Sequence, residues 1–242
     1  MTSLFLLRRQ IVSCARCARL RAYSARVASE KKAAYRDETY WGRPVPGFGD
    51  PRARVLVVGL APAAHGANRT GRMFTGDSSG DFLMRALHTR GFANRPTSRR
   101  RGDGLVLAGA YITAAARCAP PGNKPASREL ESCRPFLAAD MRALARVAVV
   151  VALGRVAFDA VVRVLGDAGA PIRPRPRFAH ARVCDFGKGW PVVIASYHPS
   201  RQNTNTGRLT ESMFDEVFRL AGRRSAHPVL PLHGRARARR AL

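Results

Sequence analysis

Four short, almost uninterrupted apolar runs punctuate the chain, at 54–58, about 108–113, 147–153 and 191–197. Between and after them, hydrophobic positions recur with helical spacing over 79–90, 127–146, 155–165 and 209–222, and a basic, small-sided stretch predicts another helix over 18–34. Apolar strands that alternate with helices predict a parallel sheet covered on both faces, hence an α/β fold. The segment Trp41–Pro51 is too dense in Pro and Gly to be regular. Arg95–Arg101 and Pro171–Arg177 are expected to be basic loops. The Arg-rich end from Arg223 is expected to be a disordered tail that clings nonspecifically to DNA, leaving 1–222 as a single domain. No internal repeat is present, and 242 residues suffice for one full core.

The most informative loop follows the first apolar run: Gly59-Leu60-Ala61-Pro62-Ala63, continuing through His65 and Gly66 to Phe74-Thr75-Gly76-Asp77. Open parallel sheets bind ligands at the carboxyl ends of their strands. Glycine there lets backbone N–H groups come close to a ligand. With one acid, one aromatic ring and no lysine, the loop suits a flat, polar, weakly charged ligand such as a nucleobase. The chain lacks both a G-x-G-x-x-G opening to its first helix and a phosphate-binding lysine after its first strand, which argues against a nucleotide-binding Rossmann enzyme.

The formal net charge is +26, and lysine occurs only at 31, 32, 124 and 188. Arginine-favouring codons account for the Arg bias but not for the excess of base over acid; a polyanionic partner does, through phosphate contacts that release counterions. No apolar run is long enough to span a membrane. Leu4–Leu7 is too short for a signal peptide and its charges follow rather than precede it. The expected setting is therefore the cytosol or the nucleoid, with no membrane partner.

Cys14 and Cys17 are separated by two residues, and Cys118 and Cys133 by fourteen. Four thiolates suit zinc or an iron–sulfur cluster. Cys184 has no obvious partner and is expected to be structural. The loop after the last apolar run, Ser196-Tyr197-His198-Pro199-Ser200-Arg201-Gln202-Asn203, places His198 just past a strand's carboxyl end, where a catalytic role is favoured. Arg201, Gln202 and Asn203 are available there to contact a groove or phosphates, whereas His65 is expected only to order its own loop.

Together these pieces resemble the uracil-DNA glycosylase superfamily, and within its iron–sulfur branches the family-5, B-type enzymes. The likeness runs from Cys14 to about Leu220 and rests on Gly59-Leu60-Ala61-Pro62, Thr70–Asp77, Arg117–Pro125 and Ser196–Gly207. Family-4 enzymes carry an acidic residue where this chain has Leu60. The resemblance implies a three-layer α/β/α fold with a four-stranded parallel sheet, and a structural [4Fe–4S] cluster on Cys14, Cys17, Cys118 and Cys133. It further implies a monomeric, bacterial, monofunctional glycosylase that removes uracil, hypoxanthine or ethenocytosine from DNA in base excision repair. Related enzymes often have an Asn after the second motif's Thr; here Thr113 is followed by Ala114.

On that resemblance Phe74 stacks on the extruded base and the N–H groups of Gly59, Leu60, Ala61 and Ala63, beside Pro62, hold its carbonyl edge. His198 donates a hydrogen bond to the departing base and Asp77 positions the attacking water, with helix capping as the competing role for Asp77. Asn123, Lys124, Ser200, Arg201, Gln202 and Asn203 contact DNA. The alternatives are a noncatalytic iron–sulfur protein that binds nucleic acid, and a zinc protein of the same fold.

Overall fold

Every predicted apolar run is a strand in the computed structural model, which describes residues 3–225. In chain order the strands are β1 (Phe48–Gly49), β2 (Val55–Gly59), β3 (Ala110–Ala114), β4 (Val149–Leu153), β5 (Val183–Cys184) and β6 (Val192–Ser196). The helices are α1 (Leu4–Val12), α2 (Ala18–Glu30), α3 (Ala67–Thr70), α4 (Ser78–Thr89), α5 (Ser127–Ala143), α6 (Arg155–Asp167), α7 (Arg201–Asn205) and α8 (Glu211–Ser225).

The sheet runs β1-β3-β2-β4-β6-β5. Its middle four strands are parallel, as expected, and a two-residue antiparallel strand borders each edge. The four-stranded expectation thus becomes a six-stranded sheet. One edge, β1, lies inside the Pro/Gly segment expected to be irregular, where Phe48 and Gly49 pair with Ile112 and Tyr111.

Side chains alternate across each strand. Val55 and Val57 of β2 face one layer, with Leu83, Leu87, Phe214 and Phe218 of α4 and α8. Leu56 and Val58 face the other, with Leu137, Met141, Phe158 and Val161 of α5 and α6. Both faces are covered, so the strands are apolar throughout rather than alternating. Each buried large aliphatic or aromatic side chain contributes about 1.5–3 kcal/mol.

Four differences concern the polar segments and the helix ends. The helix expected over 18–34 ends at Glu30, because Lys31 turns to φ 54°; Ala33–Tyr35 is a separate 3-10 turn. Residues Leu4–Val12 form α1, unanticipated, which buries only Leu7 and Ile11, against Phe136 of α5. The histidine loop contains α7, a polar helix capped by Ser200, whose Oγ accepts from the Asn203 N–H at 3.4 Å. Helix α8 continues through Ser225, beyond the domain end expected at 222. The expected basic tail otherwise lies outside the described residues. Among the described residues no helix is long and apolar enough to cross a membrane.

From β2 the chain crosses to β3 on one side, then returns past β2 to β4 on the other. The loops leaving β2 and β4 therefore diverge to opposite faces, through α4 and α6. The crevice at their carboxyl ends is where open α/β sheets take ligands.

Candidate active site

The loop after β2 opens into that crevice. Among the described residues, the backbone N–H groups of Ala61, Ala63 and Ala64 make no hydrogen bond, leaving a short row of free donors at the strand's end. The strand beside it is stitched to this loop: Ala115 and Ala116 N–H donate to the Gly59 and Leu60 carbonyls, each at 2.9 Å. Pro62 is buried, while Leu60, Ala61 and Ala63 are half-buried.

Phe74 lies against the strand end at Gly59. A Cβ at Gly59 would sit 2.6 Å from Phe74 Cε2, so only glycine lets the ring rest on the strand end. Phe74 itself has φ 50°, a left-handed conformation uncommon for an aromatic residue. Such strain concentrates where the surrounding structure fixes a side chain for function. The ring is only half-buried and faces His198, with ring centroids 6.1 Å apart and planes inclined by 32°.

His198 stands two residues past β6, with its Cβ close to Gly154 at the end of β4. Its carbonyl accepts the Asn203 amide N–H at 2.8 Å and the Ser200 N–H at 2.8 Å. Its imidazole makes no hydrogen bond among the described residues. Burial pushes its pKa down to about 4, so the ring is neutral at physiological pH. Its neighbour Tyr197 is pinned by His180, whose ring stacks on the tyrosine at 5.0 Å and whose Nδ1 accepts the Tyr197 N–H at 3.1 Å.

Asp77 enters the crevice from the start of α4. Its Oδ1 accepts the Gly80 N–H at 2.9 Å, so it does cap the helix. The other oxygen lies over Gly66, where a Cβ would stand 1.9 Å from Oδ2. One oxygen caps while the second faces the loop, so the two roles foreseen for Asp77 are compatible. Burial raises its pKa, opposed by the Gly80 N–H. Arg201 joins the two arms of the site, donating from Nε to Ser78 Oγ at 3.1 Å.

The positions expected to contact DNA lie as follows. Asn203 turns its amide inward, and Ser200 caps α7, so both order the loop. Arg201 and Gln202 are exposed, as are Asn123 and Lys124 on the 3-10 turn after β3. His65 bonds Tyr40 Oη through Nδ1 at 3.0 Å, in keeping with a loop-ordering role. Thr113 donates its hydroxyl to Asp140 at 2.6 Å, away from the loop, and Ala114 is buried.

Sequence reasoning missed the arginine that holds the first loop in shape. Arg69 is buried, donates to the His65 carbonyl at 2.8 Å and the Gly76 carbonyl at 3.0 Å, pairs with Glu38, and lies over the Tyr35 ring at 3.9 Å. It thereby ties the two ends of the loop together. Gly66 and Gly154, which make room for Asp77 and His198, were also missed. The only sequence signal for Gly154 is its position between a strand and a helix.

The four cysteines come into one neighbourhood. Arg19 of α2 forks onto Glu129 of α5 at 2.8 and 2.7 Å, drawing the N-terminal segment toward Cys133. Burial pushes the Cys118 thiol up to about 12, and the charges of Cys133, Cys14 and Cys17 add to it against Arg21. Burial likewise raises Cys133, opposed by Arg117, with Cys17 and Cys14 adding. All four sulfurs thus lie within electrostatic reach of one another. Among the described residues, however, no three His, Cys, Asp or Glu side chains gather as closely as one metal ion requires. Four thiolates are a donor set known for iron–sulfur clusters as well as for zinc. Cys184 is buried on the opposite edge of the sheet.

A family model described as the Uracil DNA glycosylase superfamily matches residues 46–221. A type-5 uracil-DNA glycosylase of Mycobacterium bovis is 49% identical over 209 residues, covering 86% of this chain and 76% of that protein. One from Thermus thermophilus is 49% identical over 218 residues, 88% of this chain and 95% of its own. A third, from Pyrobaculum aerophilum, is 47% identical over 212 residues, 88% and 89% of the two chains. With the family model matched from residue 46 to residue 221 and relatives 49% identical over 86–88% of the chain, the chain belongs to the uracil-DNA glycosylase superfamily.

Proposed function

We propose that this protein is a monofunctional DNA glycosylase that hydrolyses the N-glycosidic bond of uracil, and of deaminated or etheno-modified bases such as hypoxanthine and ethenocytosine, leaving an abasic site. One observation carries the reading: a neutral imidazole faces an aromatic ring laid on the end of β2, and the loop that follows the strand holds unpartnered N–H donors and a carboxylate whose second oxygen lies over Gly66. The type-5 relatives support uracil as the first substrate.

The target base must leave the stack before its bond can be cleaved, at a cost of a few kcal/mol that is least at mismatches. Phe74 offers the flipped base a stacking surface. The free N–H groups of Ala61 and Ala63 recognise carbonyl oxygens without a discriminating side chain, which supports acceptance of several deaminated bases. As the bond breaks, positive charge grows on the sugar and negative charge on the base. His198, neutral, donates its N–H to the base oxygen. Asp77 Oδ2 orients the water that attacks the sugar carbon and takes up its proton. No lysine stands in the crevice loops apart from exposed Lys124, so the product is an abasic site in an intact strand.

Cys14, Cys17, Cys118 and Cys133 are the residues that would hold a [4Fe–4S] cluster. When bound, it supplies cross-links between the α1–α2 segment and the loop and helix after β3, an addition to folding energy rather than to chemistry.

The test is single-turnover incubation with labelled duplexes containing U·G, U·A, hypoxanthine·T or ethenocytosine·G, followed by alkali. Alkali-dependent breaks at the lesion are expected, fastest for uracil. Protein that carries its iron and yields no breaks on any duplex would overturn the assignment in favour of a noncatalytic binding protein.

A further inference from the structure

Away from the crevice, a cavity of about 680 Å³ opens between α1, the Trp41–Phe48 segment, Gly71–Arg72 and Arg101. Six arginines line it: Arg8, Arg9, Arg21, Arg43, Arg72 and Arg101. No acidic side chain does so among the described residues. Two other hollows of the molecule differ, one containing Glu131 and Asp159 and the other Glu211 and Asp215. Within the cavity Arg72 is held by Asp103 at 2.6 Å, and Arg21 by the Gly42 carbonyl at 3.2 Å. The other four arginines are exposed and pair with no carboxylate among the described residues.

The floor is aromatic and rigid. Trp41 donates its indole N–H to the Pro44 carbonyl at 3.1 Å and rests on Gly71, where a Cβ would stand 2.8 Å from the ring. Arg101 lies 4.8 Å over that ring, and Arg72 5.5 Å over Phe48. Guanidinium forks around a flat apolar floor match phosphate oxygens beside sugars or unstacked bases. The cavity wall is also tied to the base-binding loop. Trp41 N–H donates to the Arg69 carbonyl at 2.9 Å and Gly42 N–H to the Asn68 carbonyl at 3.0 Å. This wall is therefore the back of the turn whose other side leads to Phe74 and Asp77.

We propose that this arginine-lined cavity is a second DNA-binding site, which takes the sugar-phosphate backbone flanking the lesion through Arg8, Arg43 and Arg101. The inference rests on the DNA-directed reading above and extends it to a surface outside the crevice. It makes binding strength depend on a cluster of charges that touches neither the base nor the scissile bond.

Binding of full-length protein to a uracil-free duplex is measured across a salt series for three proteins. These are the unaltered chain, the triple variant R8A/R43A/R101A, and a charge-matched control, R52A/R142A/R146A, whose arginines are exposed elsewhere. Each lost phosphate contact flattens the log K against log[salt] slope by about 0.9, so the cavity triple should flatten it by about 2.7 and the control should not. Equal slopes in the two triples, whether both flattened or both unchanged, would overturn the proposal. Arg43→Ala alone, expected to flatten the slope by about 0.9, keeps the test open should the triple fold poorly. Trp41 provides a direct reporter in a Trp190→Phe background, since these are the only two tryptophans. Duplex binding should change its emission, and inorganic phosphate at the same ionic strength should not. An emission change with phosphate alone would assign the cavity to a small anion instead. Excision by the unaltered chain on uracil duplexes is scored separately, so loss of the glycosylase assignment and loss of the cavity assignment give different patterns.

Discussion

Replacing His198 should change the acid stability of the protein as well as its activity. An imidazole in the unfolded chain titrates near 6.5, while in the crevice burial holds it down to about 4. The protonated ring is thus disfavoured in the fold. Above the unfolded value the residue is neutral in both states and has no effect on stability against pH. As pH falls through that value the unfolded chain takes a proton that the native chain refuses, and stability is lost until the native ring also titrates. Between about pH 7.5 and about pH 4.5 the unfolded chain gains almost one proton and the native chain about a quarter of one, which destabilises the fold by roughly 2–3 kcal/mol. The expected result is that His198→Asn, which cannot titrate, loses that much less stability over the interval. Urea unfolding of both proteins at the two pH values reads the difference, and contributions from other carboxylates and histidines cancel. Parallel losses in the two proteins, or an imidazole resonance titrating near 6.5 in the native protein, would refute a buried, neutral His198 and the donor role built on it.

His198→Ala should slow single-turnover excision by at least about a hundredfold with DNA binding nearly intact, the scale of losing one preorganised donor; a near-normal rate would remove it from the reaction. Asp77→Asn keeps an oxygen for the Gly80 N–H, and asparagine caps helices as well as aspartate, so stability should hold while excision falls. Asp77→Ala should lose both, with about 1 kcal/mol of stability, and full activity in Asp77→Asn would leave capping as its whole role. Gly59→Ala places a methyl group within 2.6 Å of the Phe74 ring, so it should displace the ring and weaken lesion recognition, raising KM more than it lowers the excision rate. Cys17→Ser should yield protein with less iron, less visible absorption and a lower melting temperature; a colourless, fully stable, fully active variant would dismiss the cluster.

The parallel strands were legible because burial on both faces leaves an unbroken apolar run, a signal that survives in a single sequence. The edge strands β1 and β5 are two residues each and owe their existence to neighbours already in place, β3 and β6. Helix α1 was invisible for a related reason: Leu7 and Ile11 are buried by Phe136, more than a hundred positions away. Helix α7 has no buried residue at all, and its polar run reads as loop until Ser200 is seen to cap it. Within the site, strand-end positions were found and the clearances were not. Which glycine admits which side chain depends on distances between loops, such as Gly66 with Asp77.

The arginines show where composition misleads and where it holds. Counted along the chain they look like one basic surface, yet Arg69, Arg72 and Arg117 are buried. Each meets a carboxylate: Glu38, Asp103 and Asp140. Asp103 shows the balance: burial opposes its ionisation, but Arg72 and the N–H groups of Leu105, Arg99 and Arg100 hold its carboxyl below the ordinary range. Breaking such a pair on one side strands a buried charge, typically at 3–5 kcal/mol or about that much, so these arginines belong to the framework of the loops. Because each is matched by an acid, none accounts for the surplus of +26. That surplus resides in arginines and lysines without such partners. Among the described residues, Arg8, Arg9, Arg43 and Arg101 are four of them, gathered on one cavity. A codon bias would scatter unpaired charge over the surface, whereas a polyanion selects for its concentration around a floor that sugars and bases can rest on.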